Sequence, residues 1–291
     1  MGIQEYAIRQ LDNLTVRNTD DGKKFIDTSR LDRIERELKD SPYRYCEKGK
    51  LFHAYARVPF EKLDQDVIVI TSHVDFKRGT EKCFAKVESD AMVGTFDNSI
   101  TNAAILSLMK EDPLPRNTVV VFTGDEEEGS GGAKEFARLI RKKWKKHMKA
   151  IVLDVTSDGL GADASFTIEN GCFTNDKTWG RKILSWAEDQ KENWRYVPYK
   201  KADLQRSFIK DTISSKNFVK HRAGEDEAYI FKKKDCPGFS FCLPAEFMDP
   251  AGVLAPDGWG MHSPNGLRVK KEKYFRYIRA LREVILVASA A

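Results

Sequence analysis

The chain has 291 residues, 41% of them hydrophobic and 32% charged, with a formal net charge of +5. That balance describes a soluble globular protein with room for a large core and excludes a disordered chain. The basic excess rests partly on residues 141–149, RKKWKKHMK, which read as the solvated end of a helix with lysine stems over apolar surface, not as a nucleic-acid or lipid patch.

Residues 4–15 and 29–40 read as helices; in the second, Leu31, Ile34 and Leu38 recur at helical spacing, with Thr28 or Ser29 as N-cap. The N-terminal stretch is polar and amphipathic, without the apolar core of a signal sequence. Two strands, 43–46 and 51–58, form a hairpin. DVIVITSH (66–73) is a continuous apolar run, as in a strand covered on both faces. A helix over 102–110, the strand NTVVVFTG, a helix over 132–143 and the strand KAIVLDV follow. This alternation predicts an α/β protein with three α/β/α layers and a mostly parallel, mixed central sheet. ASFTIEN, a helix over 176–190, the strand GFSFCLP and a closing helix over 270–287 complete the chain. No repeat or Pro/Gly/Ser linker interrupts it, so one domain over 1–291 is expected.

The five cysteines (Cys46, Cys83, Cys172, Cys236, Cys242) are scattered and never spaced as C-x-x-C. This argues against a disulfide framework or a thiolate metal site and fits a reducing, cytoplasmic setting. The apolar tail segment VILVAS is too short to span a bilayer.

In open α/β sheets functional residues collect at the carboxyl ends of the strands. Here four strand ends carry His73 and Asp75, then Asp125 to Glu128, then Asp154, with His262 downstream of GFSFCLP. Singly, each has a structural explanation: a hydrogen-bonded histidine, an N-cap at Asp97–Asn98, a capping Asp154, an exposed His262. As a set they give nitrogen and oxygen donors without sulfur, which suits zinc, manganese or cobalt at a hydrolytic site. Two ions account for the carboxylate density, because such a pair needs a bridging carboxylate and terminal ligands on each ion. His-x-Asp on an extended backbone places Asp75 on the face of His73, where a carboxylate can fix the imidazole tautomer. No G-x-S-x-G elbow, cysteine signature or Walker A sequence offers a competing scheme.

The order His-x-Asp, Asp-Asn, Glu-Glu-x-Gly-x-x-Gly-Ala, Asp and His-Ser-Pro resembles the dizinc exopeptidases, most closely aminopeptidases of the bacterial leucyl-aminopeptidase type. The resemblance covers most of the chain from Val67 onward, and EEEGSGGA is its most specific part. It implies that His73 and Asp154 hold one zinc, that Glu127 and His262 hold the other, and that Asp97 bridges both. Asp75 would support His73, and Glu126 would be the general base that moves a proton from the attacking water to the leaving amine. The Asp97–Asn98 peptide would be cis.

GEDEAYIF (224–231) resembles the family's acidic segment, but Glu227 stands after Asp226 where the family commonly has His. Asp226 or Tyr229 would contact substrate, Tyr229 at the oxyanion, with solvated loop acids as the alternative. The segment between Asp154 and His262 is too short for the inserted dimerisation domain of related carboxypeptidases; its Lys/Arg-rich part, 196–219, reads as a loop excursion. The expected reaction is release of N-terminal residues from peptides. A deacylase, carboxypeptidase or dipeptidase of the same fold, a silent binding relative, or a single-zinc glutaminyl cyclase remain alternatives. Peptide or small-amide substrates are expected as partners, without nucleic acid or membrane, and the oligomeric state stays open.

Overall fold

Strands that are apolar on both faces make the centre of the molecule, as expected of a parallel sheet covered by helices. The computed structural model describes residues 2–15, 28–64, 66–76, 83–127, 129–173, 175–199, 207–224, 226–248 and 266–290. In chain order the elements are α1 (Ile3–Leu14), α2 (Thr28–Leu38), β1 (Tyr45–Lys48), β2 (Phe52–Ala56), β3 (Asp66–His73), β4 (Ala85–Val87), β5 (Ala91–Gly94), α3 (Ser99–Glu111) and β6 (Thr118–Thr123). Then come α4 (Gly131–Leu139), β7 (His147–Thr156), β8 (Phe166–Cys172), α5 (Lys177–Glu188), β9 (Trp194–Val197), α6 (Ser207–Lys210) and α7 (Glu227–Lys232). Strands β10 (Gly238–Pro244), β11 (Glu246–Phe247) and β12 (Leu267–Lys270) precede the closing helix α8 (Lys271–Ser289).

The main sheet has eight strands in the order β1-β2-β6-β3-β7-β10-β8-β9. Its centre, β6-β3-β7-β10, is parallel throughout, with Ile70 opposite both Val120 and Ile151 and Asp154 opposite Cys242. Antiparallel pairing of β1 with β2, β2 with β6 and β10 with β8 makes the sheet mixed. A small antiparallel sheet, β11-β12-β5-β4, stands apart from it.

One face of the main sheet (Ile68, Ile70, Val120, Phe122, Ile151, Leu153) packs in a single core with α1, α2, α3, α5 and α8. The other (Val67, Val69, Val119, Val121, Ala150, Val152) packs with α4 and α7. The expected three-layer arrangement is therefore present. Helix α3, apolar or small on every side, is buried from Ser99 to Met109, as such a helix must be. Helix α8 buries Tyr274, Tyr277, Ile278, Leu281, Val284, Ile285 and Ala288, a stripe at helical spacing.

Strand alternation has a consequence for the site. Thr71 and His73 continue the parity of Val67 and Val69, Thr123 that of Val121, and Asp154 that of Val152, so all four belong to the α4/α7 face. Side-chain polarity changes along the strands from apolar in the middle to polar at the carboxyl edge.

Candidate active site

His73 is the last residue of β3 and is 3% exposed. Its Nε2 lies 3.1 Å from Asp97 Oδ1 and 3.8 Å from Asp154 Oδ1, while Nδ1 faces Asp75 Oδ1 at 3.5 Å. The strand end is tied down from several sides. Asn102 on α3 donates Nδ2 to the His73 carbonyl at 2.7 Å. The buried Arg30 of α2 donates Nη1 to the Val74 carbonyl at 2.5 Å and lays its guanidinium 3.3 Å from the centre of the Phe76 ring. Asp75, fully buried, also accepts the Glu127 backbone N–H at 3.1 Å, so one carboxylate braces both the histidine and the acidic loop.

Asp97 precedes a cis Asp97–Asn98 peptide, as the resemblance implies. Asn98 donates Nδ2 to the Leu153 carbonyl at 2.7 Å, anchoring the start of α3 to β7 one residue before Asp154.

Backbone bonds tie down both ends of the acidic loop between β6 and α4. The Gly124 N–H reaches Leu51 O at 2.7 Å, and the Gly132 N–H reaches Gly124 O at 2.9 Å. A Cβ at Gly132 would come within 2.5 Å of Leu51 O and 2.8 Å of Gly124 N, so this close approach admits only glycine. Asp125 takes a left-handed φ of 63° and its carbonyl accepts the Gly131 N–H at 3.0 Å, which tightens the turn. Glu128 lies outside the described residues, and so does His262.

Donor atoms of His73, Asp97 and Asp154 lie within 4.8 Å of one another, and so do those of His73, Glu126 and Glu127. The structure therefore brings together Asp75 and all four of the predicted ligands that lie among the described residues, with Glu126 beside them. Burial alone would lower the His73 imidazole, but hydrogen bonding to Asp154, Asp75 and Asp97 overcomes this and raises its pKa well above the usual value. Burial pushes Asp154 up to about 6, with Asp97 adding to the shift and the His73 hydrogen bond opposing it. Glu126 is pushed up to about 9, first by burial and then by Asp154, Glu227 and Glu127, against the pull of His73. Carboxylates at such distances repel one another, and a divalent cation among them removes the repulsion. One imidazole nitrogen with several carboxylate oxygens, and Asp75 behind the imidazole, is a donor set that fits zinc-type ions.

Two acids in α7 have surroundings that the sequence did not reveal. The segment is a short helix packed on the sheet, not a solvated loop. Asp226 caps it, accepting Ala228 N–H at 2.8 Å, and also holds Ser240 Oγ at 2.5 Å and Asn170 Nδ2 at 2.9 Å. Glu227 is 1% exposed, and its pKa is pushed up to about 7 by burial, with Thr123 and Thr71 lowering it. Tyr229 does not join the cluster through any described contact; its ring stacks on Tyr199 at 5.8 Å, with Lys233 Nζ 4.0 Å from its centre. Glu169 on β8, pushed up to about 8 by burial and by Asp158, also escaped the sequence reading. Its signal was the alternation of Phe166 and Ile168 with Thr167 and Glu169, which also fits a solvent-facing edge.

The fold has known counterparts. A tripeptidase from Staphylococcus aureus is 11% identical with a TM-score of 0.61, the alignment covering 98% of this chain and 99% of that one. Aminopeptidase PepT from Bacillus cereus is 12% identical with a TM-score of 0.60, covering 99% and 100%. A glutaminyl cyclase from an Acidobacteriales bacterium is 14% identical with a TM-score of 0.59, covering 99% and 95%. At these identities the likeness establishes the fold. No curated protein matches the chain in sequence. The model of peptidase family M28 matches residues 55–266, a span that runs from β2 through the strand-end cluster to the residue before β12, and the chain belongs to that family.

Proposed function

We propose that the protein is a dimetal aminopeptidase whose single catalytic domain spans residues 1–291. Membership of peptidase family M28 makes it a metal-dependent peptidase; release of N-terminal residues and a two-ion centre are the finer parts of the proposal. The observation that carries it is the convergence of His73, Asp97, Asp154, Glu126 and Glu127 at the carboxyl edge of the parallel strands. Zinc is the proposed metal, with cobalt or manganese compatible with the same donors. A zinc aminopeptidase from Bacillus subtilis shares the fold with a TM-score of 0.50 at 11% identity.

In this reading His73, Asp97, Asp154, Glu127 and His262 would hold the ions, with His73 and Asp154 assigned to one and Glu127 and His262 to the other. When bound, the ions would supply Lewis acidity toward the scissile carbonyl and would acidify the attacking water. Glu126 takes the proton from that water and delivers it to the leaving amine. Asp75, facing Nδ1, would keep the His73 proton on that nitrogen and leave the Nε2 lone pair free for an ion held with Asp154. The same carboxylate fixes the Glu127 backbone and hence the loop that presents Glu126.

Peptides with free and with blocked N-termini, incubated with the zinc-loaded protein and followed by mass spectrometry, test the proposal. Stepwise loss of N-terminal residues from the free peptides alone is the expected result. Cleavage confined to blocked N-termini or to C-terminal residues would assign a deacylase or carboxypeptidase instead.

A further inference from the structure

A cavity of about 170 Å³ adjoins the cluster, and Asp154 belongs to its wall. The rest of the wall includes Thr156, Asp158, Glu169, Asp226 and Cys242, so four carboxylates line a space the size of one amino-acid side chain. A cavity of roughly 150 Å³ is known to take a benzene molecule. Among the described residues two imidazoles meet this wall: His73 Nε2 lies 3.8 Å from Asp154 Oδ1, and the exposed His221 has Nε2 at 2.5 Å from Asp158 Oδ1. Glu169, 6% exposed, accepts a hydrogen bond from Thr167 Oγ1 at 2.6 Å and has no cationic partner among the described residues. Asp226 likewise has only neutral donors: Ser240, Asn170 and the Ala228 N–H.

Behind the wall stands a further buried polar side chain that holds two of the lining residues. Asn170, 3% exposed, donates Nδ2 to Gly224 O at 2.8 Å and to Asp226 Oδ2 at 2.9 Å, both lining residues, while its Oδ1 has no hydrogen bond. Among the described residues the wall therefore carries more carboxylates than cationic side chains. Burial favours the neutral form of a carboxyl without a counter-charge, and a guest that brings donors and positive charge would stabilise the ionised one.

We propose that this cavity takes the basic side chain of an N-terminal lysine or arginine, with Glu169 as the specificity-determining residue. The proposal rests on the aminopeptidase reading and adds its substrate class. Geometry favours a side-chain cation over the α-ammonium group. Glu169 on β8 is separated from Asp154 on β7 by β10, two strand spacings or about 10 Å. The α-ammonium sits two bonds from the scissile carbonyl and stays beside the metal ligands, whereas a lysine or arginine side chain extends across that gap.

Two measurements on the zinc-loaded protein test the inference independently of each other. In the first, kcat/KM is compared for lysyl, arginyl, leucyl and glutamyl p-nitroanilides. The basic substrates should exceed the leucyl one by about tenfold or more, and Glu169→Gln should reduce that ratio by a similar factor. In the second, calorimetry compares binding of L-lysine, its uncharged analogue L-norleucine, and Nα-acetyl-lysine. Lysine should bind about tenfold more tightly than norleucine, and Glu169→Gln should remove the difference. If that variant does not fold, Asp158→Asn at the rim should shift the ratio in the same direction.

Turnover of leucyl substrate with no basic preference, and equal binding of lysine and norleucine, would overturn the inference and leave the aminopeptidase reading standing. Tight Glu169-dependent lysine binding without cleavage of any free N-terminus would keep the subsite and overturn that reading. Calcium binding that displaces lysine and is lost in Glu169→Gln would make the cavity a metal site and also overturn the inference.

Discussion

Asp75 touches two parts of the site and is exposed to none of the solvent. It faces Nδ1 of His73 and accepts the N–H of Glu127, so its charge raises the basicity of the imidazole while its second oxygen holds the acidic loop. Asp75→Asn keeps the volume and removes the charge. It should weaken zinc affinity by about 10- to 100-fold, read by competition with a chromophoric chelator. Unchanged affinity would make Asp75 a packing residue. The role of Asp75 was legible in His-x-Asp because strand periodicity is two. That of Arg30 was not: nothing in its helical neighbourhood reveals that its guanidinium reaches the Val74 carbonyl and the Phe76 ring.

Among the elements, the central strands and long helices were legible because their apolar patterns are strong. The runs 66–73 and 118–123, and the stripe of α8, are where expected. Helix α3 begins at Ser99, three residues before the expected start at Asn102, because Ser99 and Thr101 are polar yet buried. Thr101 and Ser72 share a hydrogen bond at 2.9 Å across the helix–strand contact, and Thr101 also donates to the Asn98 side chain. Asn102→Ala tests this clamp. It leaves the buried His73 carbonyl without its side-chain donor, and should cost about 1–3 kcal/mol in urea unfolding. Strand β9, the small sheet and helix α7 escaped the sequence reading for one reason. Each is six residues or shorter, and tertiary packing, not local pattern, decides such segments. The segment of 196–219 read as a loop excursion begins at the end of β9, which lies at the edge of the main sheet.

For the whole molecule, the metal-free protein carries four buried carboxyl groups whose titration acts in one direction. Asp154, Glu227, Glu169 and Glu126 have pKa values of about 6, 7, 8 and 9, above the ordinary carboxylate range, so the folded state binds their protons more tightly than the unfolded chain does. His73, also raised, contributes stability below its ordinary value that is lost as pH passes its folded pKa. Stability of the metal-free protein should therefore fall as pH rises from about 4, the ordinary carboxylate value, through the folded values of about 6 to 9. Added zinc should flatten that fall by supplying the missing positive charge, as seen by denaturant unfolding at several pH values. A metal-free protein most stable at pH 9 would contradict this. No helix among the described residues is long and apolar enough to cross a membrane. The central claim is that Glu126 and Glu127, adjacent in sequence, divide proton transfer and metal binding between them. Metal content and peptide turnover of the purified protein beside Glu126→Gln test it most directly. The variant should bind two zinc ions per chain while kcat falls by about 10²- to 10⁴-fold, and a variant that binds both ions and stays fully active would contradict the assignment.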